Sequence, residues 1–350
     1  MRPCCLRILV AVLILGAAAC TGGGPQQHPQ EGSSLAITGA GATFPYPLYS
    51  RWFTDYGRLH PEVKIDYQSI GSGGGIRQLT NQTVFFGATD GPMTGEQLAE
   101  AKGAILHIPT VLGAVVPVYN LPGVDAELKF TGPLLADIFL GKVTKWDAAP
   151  IRDLNPGVAL PSSDITVVHR SDGSGTTYIW VDYLSKISPE WKEKVGVATS
   201  VSWPAGVGGK GNEGVAGLVR QSPGALGYVE LIYALQNKIA YAAVQNAAGA
   251  FVRASLPSVT AAAAGAATAM PEDFRVSIVN APGQDAYPIA SFTWILLRED
   301  SGDPARSRAM VDFLRWALTE GQATAEGLGY ARVPPQVAEK AIAALSRVRE

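Results

Sequence analysis

Two hydrophobic rhythms run along the chain, and each predicts a different element. Val63 to Tyr67 (VKIDY) sets an apolar side chain at every second position, the pattern of a half-buried strand. Ile105 to Ile108, Val111 to Tyr119, Ile165 to Val168, Val276 to Val279 and Phe292 to Leu297 are short apolar runs rich in β-branched residues, which predict buried strands. Between them the spacing turns helical. Leu48, Trp52, Phe53 and Tyr56 fall on one helix face, as do Tyr178, Val181, Leu184 and Ile187, and then Met310, Phe313, Leu314 and Ala317. The ordinary role of such stripes is to face a core. Ala261 to Ala264 opens an alanine-rich tract that predicts a surface helix. Strands alternating with helices predict α/β layers with largely parallel sheets, whose ligands bind beyond the carboxyl ends of strands.

The first 19 residues follow neither rhythm. Arg2 and Arg7 precede an apolar run from Ile8 to Ala19, shorter than the roughly 20 residues of a membrane helix and ending in three alanines. Residues 1–19 therefore predict a secretory signal peptide. Cys4 and Cys5 lie inside it, which leaves Cys20 as the only cysteine of the mature chain. Its placement resembles the lipobox of bacterial lipoproteins, with Ala17 where leucine is usual. Lipidation of Cys20 and a membrane-anchored place in the cell envelope are expected; ordinary cleavage to a soluble periplasmic protein is the alternative. The rest of the segment 20–34 (TGGGPQQHPQEGSS after the cysteine) is polar and rich in Gly, Pro and Gln, a flexible tether.

Composition narrows the partners. With 350 residues, 47% hydrophobic and 17% charged, the chain suffices for one large or two medium domains with real cores. Losing residues 1–19 lowers the 28 basic side chains to 26 against 30 acidic ones, a balance that argues against nucleic acid. Any anion site must be local.

Three small-residue segments stand just before predicted helices: Gly39 to Pro45 (GAGATFP), Gly71 to Gly75 (GSGGG) and Arg170 to Thr177 (RSDGSGTT). A helix N-terminus exposes unpaired N–H groups and partial positive charge, so it suits an oxyanion. Glycine lets backbone approach closely, and Ser or Thr adds a hydroxyl donor. One such segment is an ordinary cap; three, one of them opening with Arg170, are harder to dismiss. A guanidinium forks onto two oxygens of a phosphate-like group, and Asp172 stands two positions on as its partner. A surface ion pair is the plainer reading of that spacing. Asp90, before Gly91-Pro92, is a turn former or a ligand. His169 beside Arg170 is expected to point away, since strand neighbours face opposite sides.

Enzyme signatures fail. Ile70 and Asp172 stand where a nucleophile elbow around Ser72 or Ser174 needs glycine, and Gly141-Lys142 lacks the upstream glycine of a P-loop. The four histidines are dispersed, so no zinc cluster is expected.

Long collinear stretches over Leu35 to Leu345 then carry a family likeness: GAGATFPYPLY, HRSDGSGTTYIW, WPAGVGGKGNEG, PGALGYVE and QDAYPI. They resemble the phosphate-binding proteins of the Pst-type ABC importer, in the periplasmic binding-protein superfamily. The resemblance implies a two-lobed, type II-like α/β fold with mixed sheets, with residues 35–110 and 286–350 in lobe one and 111–285 in lobe two. It implies inorganic phosphate as ligand, permease subunits of an ABC importer as partners, a monomer, and neither cofactor nor metal. The implied phosphate-binding set is Thr43, Phe44, Ser72, Asp90, Arg170, Ser174, Gly175 and Thr176, with Asp172 supporting Arg170. Gly73, Phe85 and His169 stand where the family often has Ser, Asp and Arg; none is a ligand position. A receptor for arsenate, sulfate or molybdate, a secreted phosphoesterase and an adhesin with an incidental pocket are the other readings.

Overall fold

From Leu35 onward strand and helix alternate, as the two rhythms require. The structure, a computed structural model, describes residues 34–350. The expectations for the signal peptide, for Cys20 and for the tether as far as Ser33 lie outside the described residues. Twelve strands follow in order: β1 (Leu35–Gly41), β2 (Val63–Ser69), β3 (Phe86–Thr89), β4 (Ile105–Tyr119), β5 (Lys129–Phe130), β6 (Thr166–Arg170), β7 (Val207–Gly209), β8 (Ala225–Glu230), β9 (Ala240–Tyr241), β10 (Ala243–Gln245), β11 (Phe251–Val252) and β12 (Ala290–Arg298). The main sheet runs β2-β1-β3-β12-β4-β8-β6-β7, with β9 beside β4; β11, β10 and β5 form a small second sheet. Ladders are parallel within β1–β3 and within β6–β8. The strands between those groups, β12 and β4, are antiparallel to their neighbours. The sheet is therefore mixed, and its parallel character is confined to two groups.

Strand β4 corrects one reading. Two runs were expected around Pro109, but a single strand of 15 residues passes through it. Proline has no N–H to give a ladder. Here Pro109 faces Trp294 where the register shifts between Thr293 and Trp294, and this bulge absorbs the missing donor. β4 pairs with β12 from Ile105 to Ala114 and with β8 from Val115 to Tyr119.

Val276 to Val279 is irregular where a strand was expected. Phe274 and Asn280, both left-handed, bracket the stretch. Its polar groups are taken by side chains instead of a ladder: the Ser277 hydroxyl donates to Asp182 (2.6 Å) and Lys186 donates to the Val279 carbonyl (3.2 Å). The alanine-rich tract is also corrected. It closes the helix Leu256–Ala263, which starts on a Ser255 capping box and buries Ala262 and Ala263. Their small side chains let the helix lie close on β4 and β12.

The predicted stripes face the core, except that Tyr178 and Ile187 of the second are only half-buried. Leu48, Trp52, Phe53 and Tyr56 are buried on the helix Tyr46–Leu59, and Phe53 meets Phe313 of the helix Pro304–Leu318 at 5.2 Å between ring centroids. Each such side chain stabilises the fold by about 2–3 kcal/mol. The helix Gly175–Ile187 buries more than one stripe: Ile179, Trp180 and Tyr183 are as inaccessible as Val181 and Leu184, and Trp180 stacks on Tyr228. That burial holds its N-terminus rigidly against the sheet. Among the described residues no helix is long and apolar enough to cross a membrane.

Candidate functional site

The loops that leave β1, β2, β3 and β6 at their carboxyl ends converge. Gly73 N–H donates to the Gly173 carbonyl (2.9 Å), which joins the second small-residue segment to the third. Gly71 holds φ of +88°, and a side chain there would run into Asp172 and Gly173. A Cβ on Gly175 would lie 2.5 Å from both Asp90 Oδ2 and Ser72 Oγ. Glycine at this position lets a carboxylate and a hydroxyl rest directly on the first turn of a helix. Thr43, Phe44, Ser72, Asp90, Arg170, Ser174 and Thr176 are all at most 3% exposed. The structure thus brings the three small-residue segments and Asp90 together.

Each segment presents donors. Ser174 caps the helix Gly175–Ile187 by accepting from Thr177 N–H (3.0 Å), so its own proton remains to donate. The first intrahelical bond is Tyr178 N–H to the Ser174 carbonyl, which leaves the Gly175 and Thr176 N–H groups ahead of the ladder. Ser72 Oγ accepts the Asp90 N–H (3.2 Å), which leaves its proton for the Asp90 carboxyl or for a ligand. In the first segment two tyrosines set the backbone. Tyr233 OH donates to the Thr43 carbonyl, and Tyr330 OH donates to the Phe44 carbonyl (2.7 Å). A trans peptide points its N–H opposite its C=O, so holding the Thr43 carbonyl aims the Phe44 N–H the other way.

Arg170 ends β6 with its side chain 1% exposed. Its Nε donates to Asp172 Oδ1 (2.8 Å), Nη2 to Asp172 Oδ2, and Nη1 to Thr176 Oγ1 (3.4 Å). A guanidinium has five N–H donors, so these bonds leave one on each terminal nitrogen. Asp172 also accepts Gly211 N–H (3.0 Å). Burial alone would raise the Asp172 carboxyl, but the Arg170 hydrogen bonds and charge hold it below the usual range. Asp90 is the opposite case. Burial pushes its carboxyl up to about 7, against the lowering effect of the Thr293 hydroxyl, the Arg170 charge and Ser72. Thr293 Oγ1 donates to Asp90 Oδ1 (2.8 Å), whereas buried Oδ2 has no partner among the described residues. The arrangement is a set of N–H and O–H donors with one guanidinium and one open acceptor.

Each described histidine is engaged elsewhere. His60 pairs with Glu62, and His107 accepts Met93 N–H. His169 stacks on Trp203, its Nδ1 on the Arg170 carbonyl, and so faces away from the guanidinium as expected. Among the described residues no histidine stands beside Ser72 or Ser174; the carboxyl next to Ser72 is Asp90.

Sequence reasoning missed Thr293, Tyr233, Tyr330, Asn212 and Glu230. Buried Asn212 donates its amide to Thr43 Oγ1 (2.7 Å) and Thr176 Oγ1 (3.0 Å). Glu230, at the end of β8, caps the helix Leu231–Gln236, and burial holds its carboxyl well above the usual range. The signal for Asn212 was present as polar Lys210-Gly211-Asn212 at a helix start; the others carry no local mark.

Comparison with known proteins agrees with this geometry. Residues 25–320 match the family model described as a PBP superfamily domain. The phosphate-binding protein PstS of Xylella fastidiosa (strain 9a5c) is 50% identical over 312 residues, covering 89% of this chain and 85% of that protein. PstS of Pasteurella multocida (strain Pm70) is 48% identical over 305 residues, 87% and 88% of the two chains. Among solved structures, a phosphate binding protein from Stenotrophomonas maltophilia superposes with a TM-score of 0.67 at 20% identity, covering 89% of this chain and 94% of its own, and so shares the fold. The chain belongs to the PBP superfamily and, within it, to the PstS phosphate-binding proteins.

Proposed function

We propose that this protein captures inorganic phosphate with high affinity and hands it to the permease of an ABC importer. The carrying observation is one unpartnered buried carboxylate oxygen, Asp90 Oδ2, in a site otherwise lined by N–H and O–H donors and a guanidinium. Near neutral pH phosphate keeps at least one proton, which it can donate to that oxygen. Sulfate has none to give, and wherever pH is above the Asp90 value of about 7 it would leave a buried carboxylate facing an anion. The proposed ligand groups are the Thr43 hydroxyl and N–H, the Phe44 N–H, the Ser72 hydroxyl, Asp90, Arg170, the Ser174 hydroxyl, the Gly175 N–H and Thr176, with Asp172 orienting Arg170. The relatives named phosphate-binding protein PstS support this ligand.

The rest of the reading follows from it. Residues 35–110 with 286–350 form one lobe and 111–285 the other; the change of β4 from β12 to β8 supports a division within this strand, but between Ala114 and Val115, a few residues past the expected boundary. The receptor works outside the cytoplasm as a monomer, tethered by a lipid on Cys20; the signal-like residues 1–19 and the lone mature cysteine support that placement.

Calorimetric titration of the lipid-free protein with phosphate, arsenate and sulfate tests the function. Well above pH 7, where Asp90 is ionised, phosphate binds tightly and arsenate, with similar protons, nearly as well, while sulfate binds several hundred- to a few thousand-fold more weakly, about 3–5 kcal/mol for a mispaired buried charge. The margin narrows as pH falls through about 7 and Asp90 takes up a proton of its own. A protein that gives no phosphate binding, or that turns over a phosphate ester, ends the proposal.

A further inference from the structure

We infer that Asn212 is a positioning residue that fixes the direction in which the Thr43 and Thr176 hydroxyls donate, and that phosphate affinity depends on this direction. The inference rests on the phosphate reading and deepens it.

The orientation of the Asn212 amide is determined by its surroundings. Its Oδ1 accepts the Glu230 N–H (3.0 Å), and a backbone N–H can only donate. The other end of the amide is therefore the NH2 group, and it reaches both threonine hydroxyls. Each hydroxyl oxygen receives a second donor as well: Thr43 Oγ1 from the Asn212 N–H (3.3 Å), and Thr176 Oγ1 from Arg170 Nη1 (3.4 Å). A hydroxyl accepts two hydrogen bonds and donates one. With both acceptor places filled by groups that cannot accept in return, each threonine has only its proton left to offer. That proton is turned from the protein toward the anion. Asn212 is fully buried, so no water competes for the same places.

One uncharged side chain thereby gives two hydroxyls a single polarity, although they lie on segments far apart in sequence. Asn212→Asp inverts the arrangement. It keeps the shape and the size, but a carboxylate only accepts. Both hydroxyl protons would then turn back to residue 212, and an added negative charge would face the ligand.

Calorimetry with inorganic phosphate, on the wild type and on a set of variants, decides the matter. Asn212→Ala frees the hydroxyls to rotate and is expected to weaken binding about 10-fold, and Asn212→Asp by about 1,000-fold. A double-mutant cycle separates steering from mere support. In a Thr43→Val or Thr176→Val background the loss caused by Asn212→Ala should shrink to about 3-fold, because one of the two steered hydroxyls is gone. An Asn212 that only props the helix Gly211–Gln221 would cost the same in every background, and that result overturns the inference. So does an Asn212→Asp protein that binds as tightly as wild type. If the Asp variant does not fold, judged by its phosphate-free melting, the alanine cycle alone decides. A wild type that fails to bind phosphate is a different failure, visible before any variant is made, and it removes the functional reading together with this one.

Discussion

Asp90 and Asp172 are the same chemical group in the same site, yet their surroundings drive them apart. Asp172 lies at the rim on the β6 side, partly exposed, bound through two oxygens to a guanidinium and to a backbone N–H. Asp90 directly follows β3, fully enclosed, with one oxygen on a threonine and the other open. The first spends its charge within the protein and keeps Arg170 flat and aimed. The second keeps an acceptor in reserve. A site can thus hold two carboxylates and still favour an anion, provided one is neutralised by its partner and the other is read by a proton.

The largest test removes the partner. Arg170→Met leaves Asp172 unpaired beside the ligand, and phosphate affinity is expected to fall about 1,000-fold or more in calorimetry. A loss under about 10-fold would make the guanidinium a bystander and the comparison empty. Next, Asp90→Asn replaces the open acceptor by an amide that can also donate. The preference for phosphate over sulfate should narrow by about 100-fold or more in competition titrations; an unchanged ratio would refute the proton-reading role.

A smaller effect appears without ligand. The folded Asp90 has its carboxyl near 7, above the unfolded value near 4. Between those values the folded protein holds a proton that the unfolded chain has released. This contribution to stability is complete below about pH 4, declines as pH rises toward 7 and is lost above it. Asn at this position has no such dependence. Phosphate-free Asp90→Asn protein should therefore gain on wild type across that window and exceed it by about 1–3 kcal/mol at pH 8, measured by denaturant melts. A difference of the opposite sign, with wild type gaining on the variant as pH rises, would place Asp90 with Asp172 rather than against it. The smallest effect concerns salt. The charges of Arg170 and Asp172 cancel locally and all the donors are buried, so raising ionic strength from 50 to 500 mM should change affinity by less than about 3-fold.

The sequence announced one member of this pair more clearly than the other. Arg170-Ser171-Asp172 advertises its own ion pair through spacing, and the small residues around it mark a helix start. Asp90 reads equally well as a turn former, because Thr293, which distinguishes it, lies 203 positions away. Helix stripes were legible because burial repeats every turn. The continuous β4 was not, because Pro109 looks like a stop until β12 supplies a bulge opposite it. Val276 to Val279 misled for a related reason: its β-branched residues suit a strand, but the Ser277 hydroxyl and Lys186 hold the Val279 N–H and carbonyl that a ladder would need. Tyr233 and Tyr330 were invisible, since a hydroxyl that restrains a distant carbonyl leaves no periodic trace.

Strand β4 has a consequence for how the chain can be divided. Its early residues complete one ladder and its later residues another, so neither half of the molecule owns it. Excising the middle of the polypeptide would strip β12 of a neighbour and leave a raw hydrophobic edge, an invitation to clump. The two sides should consequently melt as a unit, and the slowest amide protons to exchange with solvent should be found along this shared backbone.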